Sequence, residues 1–239
     1  MIEVENYVFF AIFSPLILIA LVVLHHYRDE DYRYYRFFLI CMVLLVGHIL
    51  LPFFDVGIFP ELRNDPLFYS ILFLLGMGFT ILYIVQIENI SFRQIGWKSE
   101  NVIRDVAIGI LTAVVLLLIS ALLEFPFLRL KLPNLSVLKF ITVVFFALGG
   151  IYEESLFRGL LQTAYLKKDD FNSYQRILMQ ALAFLFINLF YFPFDILGLI
   201  TYLIMFLLAI VTGWLAQRYS LISSSTAHVL FVLLAGLLS

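Results

Sequence analysis

The chain has 239 residues, of which 63% are hydrophobic and 13% charged, with a mean hydropathy of +1.03. An ordinary globular protein is about 45–50% apolar and about 25% charged, so no water-soluble fold would hide this much apolar surface. The formal charge of −2 offers no basic surface for nucleic acid, and the single Cys41 excludes a disulfide framework or a cysteine-based metal site.

Apolar runs divided by polar interruptions predict membrane helices of the roughly 20 residues needed to cross about 30 Å of hydrocarbon. In chain order they cover 7–24, 37–54, 67–85, 103–123, 140–161, 177–192, 196–215 and 221–238. The predicted architecture is therefore all-α: one membrane domain over residues 1–239, a polytopic bundle of about eight transmembrane helices. The first run follows an acidic start, Glu3 and Glu5, where a signal peptide has positive charge. It is expected to be a retained span.

The linkers carry turn residues and charges, such as Asp29-Glu30-Asp31, Pro60-Glu61, Pro133-Asn134, Lys167-Lys168-Asp169-Asp170 and Pro193-Phe194-Asp195. Counted by loop, Arg28, Arg33, Arg36, Arg93, Lys98, Arg104, Lys167, Lys168, Arg176 and Arg218 fall in odd-numbered loops. Arg63, Arg129, Lys131 and Lys139 fall in even ones. The excess of positive charge predicts that the odd loops are cytoplasmic in an integral protein of the cell membrane. The segment Ser91 to Lys98 mixes apolar, aromatic and basic residues, as suits a membrane interface or a loop with a tryptophan anchor.

Ionisable side chains inside a membrane helix cost roughly 2.5–3.5 kcal/mol each on insertion scales, so each needs a partner, a cavity or a function. The fifth span holds three: Glu153, Glu154 and Arg158. Glu154 and Arg158 are four apart on one helix face and can pair there. Glu153 points about 100° away and is left to meet water or substrate. At about 1.5 Å per residue, Glu153 lies roughly 12 Å, Asn188 about 16 Å and His228 about 15 Å from the cytoplasmic ends of their spans. That common level predicts one cytoplasm-facing pocket, with Ser224 and Phe184 one turn away on matching faces. Taken singly, Asn188 suits interhelical hydrogen bonding, His48 a packed core position, and the run Ser223 to Thr226 a close helix approach. Gly149-Gly150 permits a tight crossing beside the glutamates, and the many Phe and Tyr face lipid or the interface.

Glu153-Glu154-Ser155-Leu156-Phe157-Arg158 resembles the Glu-Glu-x-x-x-Arg motif of the CPBP (or ABI) family, the CAAX prenyl endopeptidases and bacteriocin-processing or immunity proteins. Phe184 to Asn188 is similar to that family's Phe-x-x-x-His segment. Gly213 to Tyr219, leading to His228, is similar to its closing helix pair with His-x-x-x-Asn. The resemblance covers roughly residues 139–239. It implies an intramembrane endopeptidase acting on membrane-embedded or lipid-anchored peptides. Glu153 would be general base, His228 would position water or move a proton, and Glu154 with Arg158 would support them or hold the substrate end. Two positions depart from the pattern: Asn188 stands where the family has histidine, and Val232 where it has asparagine. Asparagine exchanges no proton near pH 7 and valine makes no hydrogen bond. Either Asn188 serves the oxyanion, or the chain is a catalytically impaired binding or immunity scaffold. Glu153, His228 and Asn188 form a weak set for a divalent metal, and no cofactor is expected. A small proton-coupled transporter using Glu153 is a further alternative, without the inverted repeat such proteins carry.

Overall fold

The computed structural model describes residues 29–42, 66–124, 137–188 and 196–238, and every regular element among them is helical. The expected first span, residues 43–54 of the second with His48, and most of the second and fourth loops lie outside the described residues. After a short 3₁₀ turn, Glu30–Tyr32, helix α1 covers 33–42. Helix α2, Pro66–Leu82, runs on through one wide turn, Tyr83–Ile87. Helix α3 is Val102–Glu124. Helix α4 is a composite: Val137–Leu148, a break at Gly149, Gly150–Glu154, a π-helical stretch Ser155–Tyr165, and a last turn Leu166–Lys168. Then come α5, Ser173–Asn188, α6, Ile196–Arg218, and α7, Leu221–Leu238.

Among the described residues, four helices are long and apolar enough to cross a membrane: Val102–Leu123, Lys139–Lys168, Ile196–Arg218 and Leu221–Leu238. On α3 the outward side chains are themselves apolar, as Ile103, Leu111, Leu118 and Leu122 show. Such a surface matches hydrocarbon, not water. The protein is an all-α bundle of membrane helices.

Helix α4 lies at the centre, in contact with α2, α5, α6 and α7, while α7 packs along α3. Every residue from Ser155 to Gln162 is buried, as expected of a helix surrounded by others. The predicted fifth span, 140–161, ends too early: the helix continues to Lys168. Polar Gln162, Thr163, Lys167 and Lys168 hid the extension. Gln162 donates to Gly213 O (2.8 Å) and Thr163 to Arg158 O (2.7 Å), so neither breaks the helix.

One end of the bundle is tied by polar contacts. Arg33 pairs with Asp169, Lys168 with Glu30, and Arg36 makes a bidentate pair with Glu88 (2.6 and 2.9 Å). Leu221 N donates to Gly96 O (3.1 Å), Ser220 Oγ to Asp105 (2.6 Å) and Gln217 Nε2 to Ser173 O (3.2 Å). These bonds join the four odd-numbered loops to one another.

Candidate active site

Glycine at 150 brings α4 against α7: a Cβ there would meet the His228 ring at 3.3 Å. The approach sets the two glutamates of α4 beside the histidine of α7. Glu154 is fully buried. Its Oε1 lies 2.8 Å from His228 Nδ1 and 3.2 Å from Arg158 Nη1, and its Oε2 accepts from Ser224 Oγ. Arg158, also fully buried, donates from Nη2 to Thr212 Oγ1 (2.7 Å), while that hydroxyl donates to Leu208 O (2.8 Å). The guanidinium lies 4.6 Å from the centre of the Phe184 ring, an arrangement that stabilises a desolvated cation. The same ring meets Phe157 and His228 edge-on, at 5.3 and 5.8 Å. Phe157 and Phe184 are buried in the core.

Glu153 differs in kind. Its side chain keeps about a quarter of its surface exposed, 23%, and Oε2 stands 3.7 Å from His228 Nε2. The imidazole of His228, expected at the same level, faces Glu153 across a gap slightly longer than a hydrogen bond. Glu154, His228 and Glu153 thus form a row, with the imidazole between a buried carboxylate and a partly exposed one. Glu154 is engaged by histidine and serine as well as by Arg158, which is more than the predicted two-residue clamp.

Asn188 is buried at the end of α5, and its Nδ2 donates to Phe184 O (2.8 Å), one turn back on its own helix. Val232, one turn past His228, packs against the apolar cluster of Ala113, Leu116, Ile204, Leu208 and Phe231. Thr212 was missed in the sequence. Its signal was a hydroxyl inside an apolar span beside Gly213. Trp97 was read only as an interfacial anchor, yet its Nε1 donates to Ser155 Oγ (3.0 Å), next to Glu154.

Among the described residues no three His, Cys, Asp or Glu side chains are arranged to hold a metal ion. The oxygens of Glu154 are already taken by a cation, a serine and an imidazole, which leaves Glu153 and His228 Nε2. Among the described residues these two donors fall short of the three protein ligands of a catalytic zinc site.

The fold and this site define a membrane-embedded helical protein with a carboxylate–imidazole–carboxylate centre in its core. Residues 133–234, fewer than half of the 239, match the family model Rce1-like, described as type II CAAX prenyl endopeptidase Rce1-like, and that segment is similar to the CAAX-type proteases of the CPBP family. No curated protein and no solved structure matches the chain.

Proposed function

We propose that the chain is an intramembrane endopeptidase that hydrolyses peptide bonds of membrane-associated or lipid-anchored peptides at the cytoplasmic side of the cell membrane. The observation that carries this reading is the row Glu154–His228–Glu153, in which only Glu153 is open to solvent. Glu154 takes His228 Nδ1, so Nε2 is the nitrogen turned to Glu153. A water between Glu153 and the scissile carbonyl would give its proton to Glu153 while its oxygen bonds the carbonyl carbon. The proton then passes to the leaving amine, directly or through His228 Nε2. A donor to the developing oxyanion is worth a few kcal/mol. Asn188 retains one amide proton beyond the one given to Phe184 O, and in this reading it serves there. Glu154, with Arg158, Thr212 and Ser224, positions the imidazole.

Glu153→Gln tests the proposal, since it keeps size and polarity but takes up no proton. Turnover of a membrane-peptide library should vanish while the helical circular dichroism and melting temperature stay unchanged. Turnover equal to the wild type would overturn the mechanism.

A second reading is favoured by Val232, which sits in an apolar cluster instead of offering a hydrogen bond: a scaffold that binds a membrane partner and cuts nothing. It expects no turnover in wild type and a partner retained equally by Glu153→Gln.

A further inference from the structure

Beside the carboxylate row the core holds two further amide side chains without exposed surface, Gln162 on α4 and Gln180 on α5. Both donate to the same stretch of α6: Gln162 Nε2 to Gly213 O and Gln180 Nε2 to Ala209 O, each at 2.8 Å. We propose that these two glutamines are positioning residues for the His228 imidazole, acting through Thr212, Arg158 and Glu154. Their part in turnover rests on the peptidase reading above, whereas their effect on the ring does not.

Two parallel cross-links join α4 to α6. Arg158 and Gln162 stand four residues apart, about one turn, and reach neighbouring residues of α6, Thr212 through its hydroxyl (2.7 Å) and Gly213 through its carbonyl. Gln162 therefore fixes the height of Thr212 against Arg158. Gln180 holds the other flank from α5. The carbonyl it bonds, Ala209 O, is also the second one within reach of Thr212 Oγ1, at 3.4 Å against 2.8 Å for Leu208 O. Competition at Ala209 O favours the bond to Leu208 O, and a hydroxyl donating there keeps its lone pairs for Arg158 Nη2. The guanidinium so held meets Glu154 Oε1 at 3.2 Å, and that oxygen meets His228 Nδ1 at 2.8 Å.

Glycine at 213 makes room for both amides. A Cβ there would collide with Gln180 Nε2 and stand 3.0 Å from Gln162 Oε1. Holding the helices together does not by itself account for the pair. Each leaves its Oε1 buried without a hydrogen-bond partner among the described residues, and an apolar side chain of the same shape would fill the space without that orphaned acceptor. What it would lack is the donor that sets where Thr212 stands.

Gln162→Met and Gln180→Met separate the two roles. The melting temperature in detergent should stay level or rise, since an unpartnered buried acceptor is removed, while kcat for membrane peptides falls roughly tenfold at unchanged KM. In a Thr212→Val background the same substitutions should cost almost nothing more, because residues that act through one another are not additive. In protein carrying nitrogen-15 in its histidines, the Nδ1–H resonance of His228, assigned by its loss in His228→Asn, should move upfield in both glutamine variants and in Thr212→Val. If a methionine variant misfolds by circular dichroism, leucine at the same position gives the same comparison. A His228 resonance unmoved in both glutamine variants, or full additivity with Thr212→Val, would overturn the proposal. The expected shift in a protein that cleaves nothing would remove the peptidase reading and leave the positioning role standing.

Discussion

Arg158 is a full positive charge with no exposed surface, and its neighbours decide whether the core tolerates it. Removing one member of a buried ion pair costs about 3–5 kcal/mol, because the other charge stays behind. Removing a buried hydrogen-bond acceptor costs about 1–3 kcal/mol. Melting temperatures in one detergent should therefore fall most for Glu154→Gln, less for Thr212→Val and scarcely for Glu153→Gln, whose side chain is partly exposed and bears on no buried cation at pairing distance. A Glu153→Gln protein as unstable as Glu154→Gln would remove the distinction between the two glutamates. Gly150→Ala separates geometry from stability. Alanine in a helix interior gains roughly 0.5–1 kcal/mol over glycine, but its Cβ would press on the His228 ring at 3.3 Å. The expected result is a near-normal melting temperature with peptide turnover reduced at least tenfold. At this scale the sequence showed the pair Glu154–Arg158 through its spacing of four and the level of His228 through its depth. It could not show Thr212, which meets the arginine across helices and carries no spacing signal, nor that the Phe184 ring, expected at the pocket from its face, would lie under the guanidinium.

Among the elements, the tie between α1 and the turn after α4 carries a pH dependence that can be signed. Arg33 holds the Asp169 carboxyl below its ordinary value, with Tyr34 adding to the effect. A depressed acid contributes stability above its unfolded pKa of about 3.9, lost as pH falls through the lower folded value. Burial, then the bond to Asp169, pushes the Tyr34 hydroxyl up to about 12. A raised acid contributes below its unfolded value of about 10, and that contribution is lost as pH rises through about 12. The tie should be closed across the neutral range, open in strong acid and in strong alkali, and loosened by 1 M salt because its members are near solvent. Amide exchange over 33–42 is the measurement: Asp169→Asn should raise it at pH 7 to the level that 1 M salt produces in the wild type. Equal exchange in the two proteins at low salt would show that the tie holds nothing. Apolar runs located these helices because hydrophobic length is a local property. The extension of α4 to Lys168 was hidden because its polar side chains find partners only once α6 and the preceding turn are in place.

For the molecule as a whole, orientation was read from the count of positive charges by loop, and the contacts among those loops add a geometric constraint. Arg33 with Asp169, Arg36 with Glu88, Gly96 with Leu221 and Gln217 with Ser173 lie at one end. The four loops must then face the same compartment, whichever it is, because a bond cannot bridge the membrane. Parity read from sequence alone depends on the number of spans, and one missed span would reverse every later loop. The contacts do not depend on that count. The cytoplasm is the compartment proposed for that end, on the excess of positive charge in its loops. Single cysteines test both statements, since native Cys41 is buried. Glu100→Cys and Lys167→Cys, both exposed positions, should react with a membrane-impermeant maleimide only after the cytoplasmic face is opened. Opposite sidedness of the two would break the joined-loop end of the bundle, whereas both reacting in intact cells would keep the fold and invert it. The second result would also place the exposed edge of Glu153 on the outer side and shift the proposed substrates from cytoplasmic to external peptides.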